Sequence, residues 1–316
     1  GSPGAGKPHA GKYRELTLLR LRGGRGKPSP LPSGFNHSLR VQSNRFTPSA
    51  MSQKGFMMNK KTLRQYINLL VTIVTIIFNG LANALPLNGQ NTGQISDRFQ
   101  VYFVPAGYVF SIWGLIYIGW LAFAIYQLLP AQRDNPRLER IGYLFALSGI
   151  ANMAWLFLWH YEYFVLTVVV MLTLLLLLIA IYLRLQIGKV QVASVERWCV
   201  DFPFSVYLGW ITVATIANVT ALLSYLQWDG WGISPEVWTI IMLMAGVLIA
   251  SAISLTRGDV AYMLVIIWAF VGIAVKHPDV PIVTIGVWAA TALVGLMLII
   301  GAFVLRRGKQ SLKSTG

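Results

Sequence analysis

Charge is scarce in this sequence. Only 12% of its 316 residues are Asp, Glu, Lys or Arg, and 55% are hydrophobic. Soluble domains carry about 25% charged residues, so an ordinary water-soluble globule is excluded. The same composition suits lipid, where charged side chains are costly and apolar ones are not. A mean hydropathy of +0.59 agrees. Cysteine occurs once, at Cys199, which excludes an intrachain disulfide. The four histidines (His9, His37, His160, His277) are too scattered for a His-rich metal site. No Ser-His-Asp, Cys-His or metal-ligand constellation stands out, so neither catalytic nor metal-binding residues are assigned. Whether the chain is an enzyme stays open, with a non-enzymatic role favoured.

Acids are scarcer than bases, 11 against 26, and the net charge is +15. Such a charge would suit nucleic acid, but its placement argues otherwise. Lys and Arg lie in a basic N-terminal stretch and in short loops between apolar runs, which is the pattern of membrane topology. The expected partner is the lipid bilayer, and no nucleic acid.

Residues 1–50 are rich in Gly, Pro, Ser and Arg and hold one acid, Glu15. They read as a disordered basic tail or a non-native leader. A transit-type peptide is the third reading, and Met51 lies just before the first apolar run. Residues 1–7 fit the opening of a P-loop, but Pro8 replaces the Ser/Thr and no strand precedes it.

From residue 62 the apolar runs cover 63–85, 104–129, 141–160, 163–185, 200–226, 236–256, 259–276 and 281–305. Most approach the roughly 20 residues that cross a 30 Å hydrocarbon core. Backbone groups in lipid must be satisfied internally, so the runs are helices. The predicted fold is all-α, a polytopic transmembrane bundle of about eight spans. The weakest connections are the tight turns at 160–163 and 256–259. With the N-terminus inside, fifteen Lys and Arg beyond residue 50 fall in inner segments and two, Arg98 and Lys276, in outer ones. That bias predicts both termini on the cytoplasmic side. The membrane is a bacterial-type plasma membrane or an organelle membrane, and 306–316 form a basic cytoplasmic tail.

Aromatic residues are abundant: 11 Trp, 13 Tyr and 15 Phe. Interfacial belts account for Trp198, Trp228, Trp231 and Trp238. They do not account for Trp113, Trp155 and Trp210, which lie inside their spans. Trp113 and Tyr117 share a helix face with Phe110. Asn152 and Trp155 are three apart. Tyr207, Trp210, Ala214 and Asn218 run down one stripe. An unpaired amide in lipid is costly, so these faces point inward. Two readings stay open: stripes that only pack helices, and a cavity for a flat hydrophobic ligand.

These residues resemble a known family. Pro105, Tyr108, Phe110, Trp113 and Tyr117 are similar to the Pro-Pro-x-Trp-x-Phe and Trp-x3-Tyr series of the translocator protein and tryptophan-rich sensory protein family. Asn152 with Trp155 resembles its Asn-x2-Trp motif. Tyr207, Trp210, Ala214 and Asn218 resemble its Tyr-x2-Trp-x3-Ala-x3-Asn motif. The resemblance covers about residues 62–226. It implies a five-helix ligand-binding bundle, with 235–305 as a three-helix extension. It also implies a porphyrin, haem-type or other flat hydrophobic ligand, not covalently attached, in a sensory or transport-related role. The ten residues from Tyr108 to Asn218 just named would be the ligand-binding set, under an outer loop near Asn88 to Arg98. A homodimer is a further implication. The departures are Ala106 for the second Pro, Tyr108 for a Trp, and Trp159-His160 for the usual Phe-Phe. The missing indole at Tyr108 counts against Trp-dependent porphyrin breakdown more than against binding. A secondary transporter of a small solute is the alternative, with a porphyrin-degrading enzyme ranked last.

Four smaller readings complete the sequence. Asp201 is expected to pair with Arg197 one turn away, or else to line a pocket mouth. His160 and Glu162 are expected in a solvated turn. Asn68, Asn79 and Asn83 are expected to bond between helices. Leu178, Tyr182 and Arg184 fit a sterol-type pattern of low specificity.

Overall fold

A computed structural model describes Gly1, residues 60–85 and residues 87–314, with side chains as far as 304. The leader-or-tail reading of 1–50 lies outside the described residues, as do the side chains of the basic tail. All that follows falls within the unit Phe56–Gly316.

The described chain is helical, as predicted. In order the helices are α1 (Lys60–Ala84), α2 (Thr92–Asp97), α3 (Ile112–Leu128), α4 (Pro136–Ile141), α5 (Leu144–His160), α6 (Phe164–Leu185), α7 (Ser194–Glu196), α8 (Phe202–Tyr225), α9 (Pro235–Arg257), α10 (Val260–Lys276) and α11 (Pro281–Ser314). Among the described residues six stretches are long and apolar enough to cross a membrane: α1, Gly107–Leu128, α6, Ser194–Tyr225, α9 and Pro281–Val304. The other two expected spans, α5 and α10, are apolar but have 17 residues each. At 1.5 Å per residue they reach about 25 Å, a little short of the hydrocarbon core.

Local chemistry sets the helix ends. Asn135 caps α4 with Pro136 at its first position, and Ser234 does the same for α9 ahead of Pro235. Gly258 in the left-handed region (φ 61°) stops α9, and Asp259 caps α10 directly afterwards. The turn at 161–163 closes with Glu162 at φ 63°. Both doubtful turns therefore exist, and the runs they separate do not merge. Before α8 the backbone widens into a π-turn at Arg197–Asp201. Pro203 lacks an N–H and its ring crowds the carbonyl four residues back, so the preceding turn loosens. Helix α11 continues past the expected end of its span to Ser314.

Five long helices close a ring: α1 packs on α3, α3 on α8, α8 on α6, α6 on α5, and α5 back on α1. Helices α9, α10 and α11 pack on one another, and α10 lies along the outer side of α8. The packing thus forms a ring of five helices and a group of three, joined through α10. Gly209 lets α10 approach, since a Cβ there would sit 3.1 Å from Val265. Gly149 does the same for α1 against α5, where Val71 and Thr75 leave no room for a methyl.

Polarity runs inside out. On α1, Gln65, Asn68, Thr72, Thr75 and Asn79 are buried, whereas Leu63, Leu70, Ile73, Ile77 and Leu81 are exposed. Steps of three and four put the polar set on one stripe. Asn68 donates to Gln127 Oε1 on α3 at 3.0 Å, and Asn79 donates to Asn152 Oδ1 on α5 at 2.8 Å. Asn83 instead donates to Asn79 O within its own helix.

At the end opposite the loop at 87–98, buried charge holds the connections. Arg137 of α4 donates to Glu196 Oε1 at 2.7 Å, to Asp201 and to Leu185 O. Asp201 therefore pairs with Arg137, not with Arg197. The expected partner lies within the π-turn, where the α-helical one-turn spacing is lost. Asp259 is 7% exposed; its Oδ2 accepts from Tyr182 at 2.9 Å and Ser205 at 2.5 Å, and its Oδ1 caps Tyr262 N. One carboxylate thus joins α6, α8 and α10. It also removes Tyr182 from the lipid surface, so the sterol-type pattern does not form a lipid-facing motif.

Replacing Asp259 with Ala should cost about 2–4 kcal/mol, from a lost cap and two unpaired buried hydroxyls. Asp259→Asn, which keeps an acceptor, should cost less. Thermal unfolding in detergent checks this; an Ala variant that melts with the wild type would mean that the network contributes nothing.

Candidate functional site

The ring interior carries two short sets of side-chain bonds, one turn apart along α5. Asn79 donates to Asn152, whose own amide points to the Tyr207 hydroxyl at 3.5 Å. One turn further along α5, Trp155 Nε1 donates to Asn218 Oδ1 at 3.0 Å, and Asn218 donates to Thr167 Oγ1 at 2.9 Å. Asn152, Trp155, Tyr207 and Asn218 therefore meet, and they tie α1, α5, α6 and α8 together.

Aromatic rings pack beside this chain. Trp113 lies nearly parallel to Tyr117 (5.8 Å between ring centres, 27°) and meets Trp210 and Tyr207 edge-on. Phe110 packs on Trp210 at 5.7 Å. Trp155 stacks on Trp159 at 5.4 Å and 19°. The helix spacing of Phe110, Trp113 and Tyr117 puts the three rings along one side of α3 and of the 3₁₀ turn before it.

Between α1, α3, α5 and α2 lies a cavity of about 600 Å³. Phe110, Trp113, Tyr117 and Trp155 form its aromatic wall; Asn79, Asn83, Asn91 and Gln94 supply amides. Four of the ten predicted residues thus line it. Asn152, Tyr207, Trp210 and Asn218 lie in the packing behind that wall, and Ala214 is a half-buried core contact. Tyr108 is elsewhere: it is 45% exposed and meets Trp268 of α10 edge-on at 5.3 Å. The two-residue gap between Phe110 and Trp113 falls where the 3₁₀ turn passes into α3, so Tyr108 faces a different neighbour from the rings that follow it.

The loop at 87–98 covers one end of this cavity. Asn91 and Gln94 form a reciprocal capping box that makes α2 a defined element. Ile95 is 1% exposed and packs with Trp159 and Phe164. Trp159 Nε1 donates to Thr92 O at 3.2 Å. Arg98 pairs with Glu162 at 2.8 Å, and Lys276 of α10 pairs with Asp97 at 2.6 Å. Asn88 donates to His160 O. His160 itself is 1% exposed, with Nδ1 on Leu156 O, so it is a packed residue of α5 and not a solvated one. The loop is Asn/Gly/Gln-rich in sequence, but Asn91 and Gln94 were not among the predicted binding residues; their capping pattern was the available signal.

The family described as TSPO-like protein matches residues 65–300, and the chain belongs to that family. The match does not stop at the five-helix ring but runs through α9, α10 and most of α11. No curated protein and no solved structure matches.

The loop should depend on its buried side chain more than on its ion pairs. Truncating a buried Ile to Ala costs about 2–5 kcal/mol, whereas an exposed pair contributes about 0–1 kcal/mol. Hydrogen exchange at residues 91–98 should therefore accelerate much more in Ile95→Ala than in Arg98→Gln. Equal acceleration in the two variants would overturn this ordering.

Proposed function

We propose that this integral membrane protein binds a flat hydrophobic ligand of the porphyrin or tetrapyrrole class in the cavity under α2, in a sensory or transport-related role. The cavity carries the reading. Its 600 Å³ lies within the roughly 300–1,000 Å³ of small-molecule pockets. One wall is four aromatic rings, on which a planar ring system stacks. The facing amides of Asn79, Asn83, Asn91 and Gln94 offer donors and acceptors to ring nitrogens. No Lys or Arg lines the cavity. A carboxylate-bearing edge would therefore turn toward the rim, where Lys276 and Arg98 lie beside Asp97 and Glu162. The solute-carrier reading has less support, because the buried carboxylates Asp201 and Asp259 lie at the other end of the helices, and the one carboxylate lining the cavity, Asp97, is paired with Lys276.

Adding protoporphyrin to the purified protein should quench tryptophan fluorescence saturably. Trp113→Ala should weaken binding about tenfold, equivalent to 1.4 kcal/mol, whereas Tyr108→Ala should bind as the wild type does. Quenching that never saturates would sink the proposal. So would equal losses in the two variants.

A further inference from the structure

A second cavity lies where α8 turns into α9. Its volume is about 200 Å³, and Tyr102, Ser224, Trp228, Asp229 and Trp238 are among its lining residues. That is below the size of pockets that enclose whole drug-like molecules, so it fits a small group. Trp228 and Trp238 pack with ring centres 5.0 Å apart. Trp238 Nε1 donates to Gly230 O at 2.9 Å, which fixes the turn carrying Asp229. Asp229 Oδ1 accepts from Trp231 N at 3.0 Å, and Oδ2 has no hydrogen-bond partner among the described residues. Tyr102 donates its hydroxyl to the Glu236 carboxylate at 3.1 Å.

The charge lining this cavity is negative. Asp229 lines it, Glu236 stands behind Tyr102, and no Lys or Arg lines it. His277 meets the Tyr102 ring edge-on at 5.2 Å. Burial, and then the neighbouring Lys276, hold its pKa below the usual histidine value. Indole faces attract cations, and desolvation strengthens that attraction. The apolar part of the lining (Val101, Phe103, Leu223, Ile233, Met242) suits methyl groups and excludes a fully hydrated inorganic ion.

We propose that this cavity binds a methylated ammonium group, held by Trp228 and Trp238 and by the Asp229 carboxylate. The group comes from a lipid headgroup or from a soluble amine; both present the same chemistry.

The probe is tetramethylammonium, followed by saturation-transfer NMR on its methyl signal with the full chain in phosphatidylglycerol nanodiscs. Saturable binding is expected, with no competition from equimolar sodium. Asp229→Asn, at an exposed turn, should weaken it at least threefold. Trp228→Leu should abolish it, and Trp228→Phe should restore part of it. Absence of saturable transfer in the wild type would overturn the proposal, as would wild-type affinity in Asp229→Asn. Repeating the titration in phosphatidylcholine nanodiscs separates the sources. A lost signal there supports the site and assigns it to the lipid headgroup; an unchanged signal supports it and assigns it to a soluble amine. Protoporphyrin quenching does not enter this readout, so the two cavities are tested independently.

Discussion

An amide inside a bilayer has no water to bond, and that constraint organises the ring. Each amide on the inner stripe of α1 needs a partner from another helix or from its own backbone. Asn68 reaches Gln127 on α3, and Asn79 reaches Asn152 on α5. These two bonds lie three turns apart along α1, so they fix its rotation and its height against both neighbours. The apolar face of α1 then points outward, where it costs nothing to expose. Bonds through Tyr207, Asn218 and Thr167 extend the same ordering to α8 and α6. Hydrophobic burial cannot choose among helix rotations when the surroundings are as apolar as the interior. Directional bonds can.

Helix α8 serves two neighbourhoods at once. One side carries Tyr207 and Asn218 into the ring. The other carries Ser205, Gly209 and Thr212 toward α10. Thr212 accepts from the Tyr262 hydroxyl at 3.0 Å, Ser205 donates to Asp259, and Gly209 supplies the close approach between them. Polar residues therefore occur around much of α8, and its sequence shows no clean apolar stripe. A helix that is buried on most sides has no reason to show one.

That is also why some features were legible in the sequence and others were not. Span positions follow from run length and turn chemistry, which are local, whereas the five-plus-three division was only what the family resemblance implied. The stripes of α3, α5 and α8 were readable because helical spacing puts their residues together whatever the tertiary fold. Which stripe residues line a cavity is a different matter. Phe110, Trp113, Tyr117 and Trp155 face open space, while Tyr207, Trp210 and Asn218 face other side chains; only the ring closure decides this. Asp201 was read by local spacing and found its partner 64 residues away on α4. His160 was read by its position next to a turn, yet it is 1% exposed, with its ring on Leu156 O and its own carbonyl accepting from Asn88 of the loop. Tyr108 was placed by resemblance, and the 3₁₀ turn that carries it presents it to α10 instead.

The last three helices are not an appendage to the cavity's walls. Ala106 N donates to Gly272 O at 3.0 Å, and Trp268 Nε1 donates to Val109 O at 3.2 Å. Gly272 is where Val109 and Pro105 press closest on α10. Helix α10 thus holds the segment 105–110 by its backbone, and that segment delivers Phe110 and then Trp113 to the cavity. Lys276, at the end of the same helix, holds Asp97 of the loop at 87–98. Two walls of the cavity, one aromatic and one amide-bearing, are therefore fastened to a helix that contributes no lining residue. Any shift of α10 along α8 must move Ala106, Val109 and Asp97 together or break those bonds. The extension and the ring are mechanically one unit at the cavity rim, and the family match runs through both.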